Sequence, residues 1–156
     1  METKLIALRL LLEAIGVGTD ISSKERRMQV QKAVYLLQAG GVKLGYSYGW
    51  YINGPYSTAL TRDYYDMQGD LANAPERRLN DEVAAIVNQL RGILAVPDGV
   101  PLTPARWAEL VASVHYLRHD MRKTTQQAQH LLLQQKPNLA PHIGVAEQKL
   151  HEYGLL

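Results

Sequence analysis

The sequence predicts a mainly α fold with a minor β component: a single compact multi-helix domain in which a small, wing-like strand or hairpin leads through a Gly-Pro turn into a helix. Three observations predict it. Apolar residues recur at three- and four-residue spacing over most of the chain. The period changes to two only between Tyr46 and Asn53. A chain of 156 residues, 46% hydrophobic and 21% charged, is the size of one domain and can bury a sizeable core.

The elements follow in order. Leu5, Leu8, Leu12 and Ile15, widened by Leu11, form the buried stripe of a helix over 3–16. "GVGTDISS" interrupts it, and Ser22 or Ser23 can then cap a second helix running to about Gln38, where Gly40-Gly41 stops it. Val30, Ala33, Val34 and Leu37 form its apolar stripe, while Arg27, Gln31, Tyr35 and Gln38 recur on another side.

Next comes the strand, with Tyr46, Tyr48, Trp50 and Ile52 on an apolar side and Ser47, Gly49, Tyr51 and Asn53 on the other. Its backbone needs partners. Val42–Leu44, the aperiodic stretch 71–76, or a second copy of the chain pairing through 46–52 as a homodimer can supply them. Gly54-Pro55 is read as the strand's end and the helix's start, because proline at the first helical position sacrifices no hydrogen bond. Tyr56, Ala59, Leu60, Tyr64 and Met67 then share a face, with Asp63, Asp66 and Asp70 beside it.

After an aperiodic loop, a carboxy-terminal helical part spans 79–154. Asn80 caps a helix carrying Val83, Ile86, Val87, Leu90 and Leu94. "VPDGVPL" turns the chain, and Thr103-Pro104 starts a helix over 103–120 carrying Trp107, Leu110, Val111, Val114 and Leu117. Thr124 or Thr125 caps a helix through Gln135, and Pro141 opens a last one ending near Gly154.

Composition excludes several chemistries. With no cysteine there are no disulfides, thiolate metal sites or cysteine nucleophiles. No apolar run is long enough to span a bilayer and the opening residues are no export signal, so the reading is a soluble, cytoplasmic protein without a membrane partner. His115 and His119 stand four apart with Asp120 beside them, but Tyr116 occupies the place where a zinc protease carries glutamate, so no metal site is expected. The glycines build no phosphate loop or dinucleotide fingerprint, and no Gly-x-Ser-x-Gly elbow occurs. The expectation is therefore a non-enzyme without cofactors.

Surface recognition remains. The formal charge is only +2, yet Lys24, Arg26, Arg27, Lys32 and Lys43 crowd 24–43 against Glu25 alone, while 61–90 is acidic. These faces either offset each other within the fold or leave a basic patch for an acidic partner. Eight of the eleven aromatic residues lie between Tyr35 and Tyr65. Tyrosines serve contact surfaces as readily as cores, and this chain has no phenylalanine.

The segments "QKAVYLLQAGG" and "WYINGPYSTAL" carry Gln31, Lys32, Tyr35, Leu36, Leu37, Gln38, Gly54, Pro55, Tyr56 and Leu60. This pair resembles the Panacea-type and YwgA-like domains, including the carboxy-terminal domain of antitoxins that oppose DNA ADP-ribosylating toxins. The resemblance covers residues 22–67 and implies a domain that binds and neutralises a protein partner, a toxin or effector, without catalysis. The contact residues are then Arg27, Gln31, Lys32, Tyr35, Tyr51 and Asn53, supported by Gln38, Trp50, Gly54, Pro55, Tyr56 and Leu60. The alternative is a winged-helix-like DNA-binding regulator, in which Arg26, Arg27, Gln31 and Lys32 meet nucleic acid and Tyr48–Asn53 is the wing.

Overall fold

The structure is a computed structural model that describes residues 2–69 and 77–156. Residues 71–76, considered above as partner for the strand, and Asp70 of the acidic series lie outside the described residues. Seven α-helices and one two-stranded antiparallel sheet occur among the described residues, in the order α1 (Thr3–Ile15), α2 (Lys24–Ala39), β1 (Gly49–Tyr51), β2 (Gly54–Tyr56), α3 (Thr58–Gln68), α4 (Asp81–Leu90), α5 (Pro104–His115), α6 (Thr125–Gln135) and α7 (Ile143–Glu152). A single π-helical turn, Tyr116–Asp120, prolongs α5, and a 3₁₀ turn, Ala140–His142, precedes α7. The fold is thus mainly α with a hairpin.

Helix starts follow the capping chemistry. The side chains of Ser23, Asn80, Thr103 and Thr124 each accept a bond from a first-turn amide, and Thr124 with Gln127 forms a reciprocal capping box. Gly16, at φ +89°, closes α1 in the left-handed region.

α5 is the centre of the molecule. Its residues from Trp107 to His115 are all buried, so its stripe of Trp107, Leu110, Val111 and Val114 is only one side of a helix enclosed all round. α2, α7 and β2 pack against it. The Trp107 indole donates to the Ile93 carbonyl at 3.0 Å, which satisfies the only polar atom of the largest buried side chain.

α2 is a wall between two cores. Leu36 and Leu37 face the group built on α5, α4 and α7, whereas Val30, Ala33 and Val34 face Leu5, Leu8 and Leu12 of α1 and Leu60, Tyr64 and Met67 of α3. A helix walled in on two sides has little surface left for polar residues. Gln31 to Leu37 are accordingly buried without interruption.

The Gly-Pro expectation is corrected. Gly54 and Pro55 belong to β2, in register Gly49↔Tyr56, Trp50↔Pro55 and Tyr51↔Gly54, and α3 begins only at Thr58, where the Ser57 hydroxyl accepts from Leu60 N at 3.2 Å. Gly54 has φ +87°, which no helix start can use, and proline without an amide is compatible with a short edge strand. Tyr56 therefore leaves the helical face assigned to it, and Ala59 is exposed.

The strand's two sides also need correction. β1 spans only Gly49–Tyr51, so Ile52 falls in the turn and is 89% exposed instead of packing inward. Trp50 is half-buried; it stacks on Tyr116 at 5.9 Å and donates to Gln135 Oε1 at 2.9 Å, not against α1 or the apolar stripe of α2. Because β2 supplies the missing ladder, the strand does not need a second copy of the chain.

Candidate functional site

Gln31, Lys32, Tyr35 and Gln38 project from one side of α2 toward the segment 46–57. The Gln31 amide takes both backbone groups of Ser57, donating to its carbonyl at 2.9 Å and accepting from its N–H at 2.9 Å. Gln38 does the same for Tyr46, at 3.0 Å and 2.9 Å. A carboxamide carries a donor and an acceptor side by side as a peptide group does, so each glutamine stands in for a strand partner. Tyr46, which the strand reading included and β1 does not, finds its backbone partners in this way.

Two lysines hold the hairpin, one at β2 and one at the turn. Lys32 Nζ donates to the Pro55 carbonyl at 2.6 Å, and Lys136 Nζ donates to the Ile52 carbonyl and, at 2.8 Å, to Glu109 Oε2. Arg106 completes the chain on Glu109 Oε1 at 2.6 Å. Burial pushes the Lys32 ammonium down to about 7; nearby Lys136 lowers it further, while Glu109 raises it. Gly54 lies against α5, where a Cβ would collide with Ser113 Oγ, a buried hydroxyl with no hydrogen-bond partner.

Three of the expected contact residues therefore lie in the interior. Gln31 and Lys32 are each 1% exposed, and Tyr35 is buried with its hydroxyl 2.7 Å from His115 Nδ1. Their polar ends serve this chain's own backbone and core. The recognition-helix reading loses the same two side chains, because a buried glutamine and lysine cannot reach phosphates or base edges. Arg26 remains at the surface, 3.9 Å from Asp20.

Arg27 and Asn53, two of the remaining expected residues, meet at a cavity that Gln31 and Lys32 also border. Arg27 donates to the Ile21 carbonyl at 3.0 Å and, with Lys24, Asn53, Tyr56 and Tyr65, lines this cavity, of about 190 Å³, beside the hairpin. Tyr51 lies edge-on to Tyr56 at 5.1 Å and is 50% exposed. Tyr51, Ile52 and Tyr65 are the exposed large apolar side chains of this neighbourhood. Leu60 sits in the core beneath it, as a supporting residue should.

Reading the sequence missed Ile52, Tyr65, Glu109 and Lys136. Glu109 leaves a trace, since a carboxylate inside the apolar run from Trp107 to Leu117 stays buried only when paired. Nothing local marks Lys136, whose partners are far away in the chain. His115 and His119 stack at 4.9 Å, and no group of three or more metal-ligating side chains is assembled among the described residues. None of the described helices is long and apolar enough to cross a membrane.

The chain matches no protein-family model, no curated protein and no solved structure.

Proposed function

We propose that the chain is a non-catalytic protein-interaction module, antitoxin-like, which binds and neutralises or regulates a protein partner in the cytoplasm as part of a bacterial or phage conflict system. The observation that carries this reading is the hairpin tip. Tyr51 and Ile52 stand out from the surface on a hairpin whose Ile52 carbonyl, in the turn, and Pro55 carbonyl, in β2, are each held by a buried lysine. An exposed apolar tip on a rigid support loses little freedom on binding, so more of its contact energy appears as affinity. Lys24 and Arg27 flank it and favour an acidic partner surface. The resemblance of the Gln-Lys-x-x-Tyr-x-x-Gln and Gly-Pro-Tyr segments to Panacea-type domains supports the antitoxin class.

Co-expression with the product of a neighbouring toxin-like gene tests the reading, with growth rescue and co-purification as readouts. Wild type should rescue and co-purify, whereas Tyr51→Ala with Ile52→Ser should do neither while melting as the wild type does. A folded double variant that retains full rescue removes the tip as the contact.

A further inference from the structure

The hairpin turn borders two cavities. One is the cavity of about 190 Å³ beside α2 and α3; the other, of about 750 Å³, lies toward the start of α5 and the segment 135–142. Lys24 and Asn53 line both, so the same two side chains face the turn from either cavity.

The charge around the turn is one-sided. Lys24 and Arg27 line the smaller cavity, and no carboxylate does among the described residues. Lys24, Arg106 and Lys136 line the larger one, whose one carboxylate among the described residues is Glu109. The Glu109 side chain is 2% exposed and already held by Arg106 at 2.6 Å and by Lys136 at 2.8 Å. It therefore offsets charge inside the protein and presents none to a visitor.

The cations left over can be reached. Lys24 is exposed, and its ammonium forms no hydrogen bond or ion pair among the described residues. The Arg106 side chain is 48% exposed and spends only Nη1 on Glu109, which leaves Nε and Nη2 for a second acceptor. Ile52, 89% exposed, lines the same cavity as both, and Tyr51 precedes it at the tip.

We propose that this surface docks a short acidic segment of another protein, in which an apolar residue covering Ile52 is flanked by carboxylates that meet Lys24 and Arg106. The inference rests on the tip being the contact in the function proposed above, and adds what the contacted segment carries. Exposed ion pairs contribute little affinity each, so the apolar tip supplies the hold, while the cations supply orientation and a faster encounter. Nucleic acid is a poorer match. It is held by many phosphate contacts, whereas the reachable cations here are few, the whole chain carries only +2, and an aliphatic side chain offers no ring for a base to stack on.

Three probes test the proposal on the full chain at low salt, followed by amide chemical shifts: the blocked peptide acetyl-Asp-Glu-Leu-Leu-Glu-Asp-amide, its uncharged counterpart acetyl-Asn-Gln-Leu-Leu-Gln-Asn-amide, and a short duplex DNA. The acidic peptide should bind with a Kd of about 1 mM or tighter and move the amides of Lys24, Ile52, Asn53 and Arg106. Lys24→Glu should weaken it about fivefold, and added salt should close the gap to wild type. Glutamate suits the first position of a helix, so this variant should melt as the wild type does. Arg106→Gln, which keeps the pair of Lys136 with Glu109, is the second variant and should weaken binding in the same direction.

The proposal is overturned if the acidic peptide does not bind at about 10 mM, a level that would reveal millimolar affinity. It is also overturned if the uncharged peptide binds equally well, if folded Lys24→Glu and Arg106→Gln both leave the affinity unchanged, or if the DNA moves the same amides at lower concentration. Co-expression separates this surface from the function it rests on. Acidic-peptide binding by a chain that captures no toxin-like product supports the surface and counts against the antitoxin reading. Capture that is lost in Tyr51→Ala with Ile52→Ser, yet kept by Lys24→Glu and at high salt, supports the tip and overturns the acidic segment.

Discussion

At the hairpin end of α2, the polar atoms of Gln31 and Lys32 all finish on main-chain groups of Pro55 and Ser57, apart from a second bond of the Gln31 amide to Thr61 at 2.9 Å. About one turn further along the same helix, Tyr35 finishes on the side chain of His115, and the neighbouring Tyr48 hydroxyl finishes on nothing. Both regions are buried and both are polar. In the first the polar ends of Gln31 and Lys32 are spent on fixing where a loop lies, although Ser113 Oγ beside Gly54 goes unpaired, and the second leaves bonding capacity unused beside a cavity. The difference teaches that buried polar side chains can be spent wholly on holding the chain's own backbone, so burial of a polar group is not by itself a sign of function.

The largest expected effect breaks the hairpin end. Gly54→Val places a β-branched residue at φ +87° and drives a Cβ into Ser113, which should destabilise by roughly 3 kcal/mol or more in urea denaturation. Pro55→Ala, with no comparable conflict, should cost far less. Equal losses would show that the hairpin tolerates a different turn.

Lys32 sets a pH signature for the same network. Its folded value near 7 lies below its ordinary value of 10.5, so between those limits the unfolded chain binds the extra proton. Stability should therefore rise with pH across that window, by up to about 1.4 kcal/mol per unit, and be lost as pH falls toward 7. Tyr35, Tyr46 and Tyr48 act oppositely above about pH 10, because burial raises their folded values and stability then falls as the unfolded phenols ionise. Melting curves of Lys32→Met should lack the rise below pH 10. A Lys32→Met profile parallel to that of wild type would remove the buried-ammonium account.

Glutamine truncations sharpen the contrast. Gln31→Ala strands the N–H of a buried Ser57, whose carbonyl keeps its bond from Thr61 N, and should cost about 2 kcal/mol, whereas Gln38→Ala, at the half-buried Tyr46 backbone, should cost about 1 kcal/mol. Tyr48→Phe has the opposite sign. Removing an unpaired buried hydroxyl should raise stability by up to about 1 kcal/mol in the same denaturation experiment. A loss there would mean that the hydroxyl has a partner after all, and the comparison between the two ends would fail.

Acid provides the smallest test, at the Tyr35 end. Burial first, and His119 second, push the His115 imidazole down to about 4, against an ordinary 6.5. The unfolded chain is the better proton acceptor between those values, so stability falls as pH drops from 6.5 toward 4. His115→Gln should flatten that part of the profile.

Helices were legible wherever the cause is local. The apolar periods of α1, α2, α4 and α5 and the caps Ser23, Asn80, Thr103 and Thr124 are decided within one or two turns of chain. The hairpin was not, because a proline at a helix start and a proline in an edge strand read alike; the backbone of Gly54 and the cap at Ser57 decide between them. The polar side of α2 was misjudged for a related reason. Such a side is ordinarily solvated, and only the return of Ser57 and Pro55 from later in the chain encloses Gln31 and Lys32. Surface placement of Tyr51 could be read because its side of the strand is polar, whereas Ile52 was misassigned by extending the alternation into a turn.

The chain's two tryptophans stand in these two settings, and that gives the molecule a pair of built-in optical reporters. Trp107 is sealed at 0% exposure with its indole on a core carbonyl, so its emission should stay blue until the whole domain opens. Trp50 rides on the hairpin, stacked on Tyr116 and 5.5 Å from the Lys136 ammonium. Release of the hairpin would free that indole to water while Trp107 remained enclosed. With Trp50→Phe and Trp107→Phe as single-emitter versions, stopped-flow fluorescence can time the lifting of the hairpin separately from the melting of the helices around it.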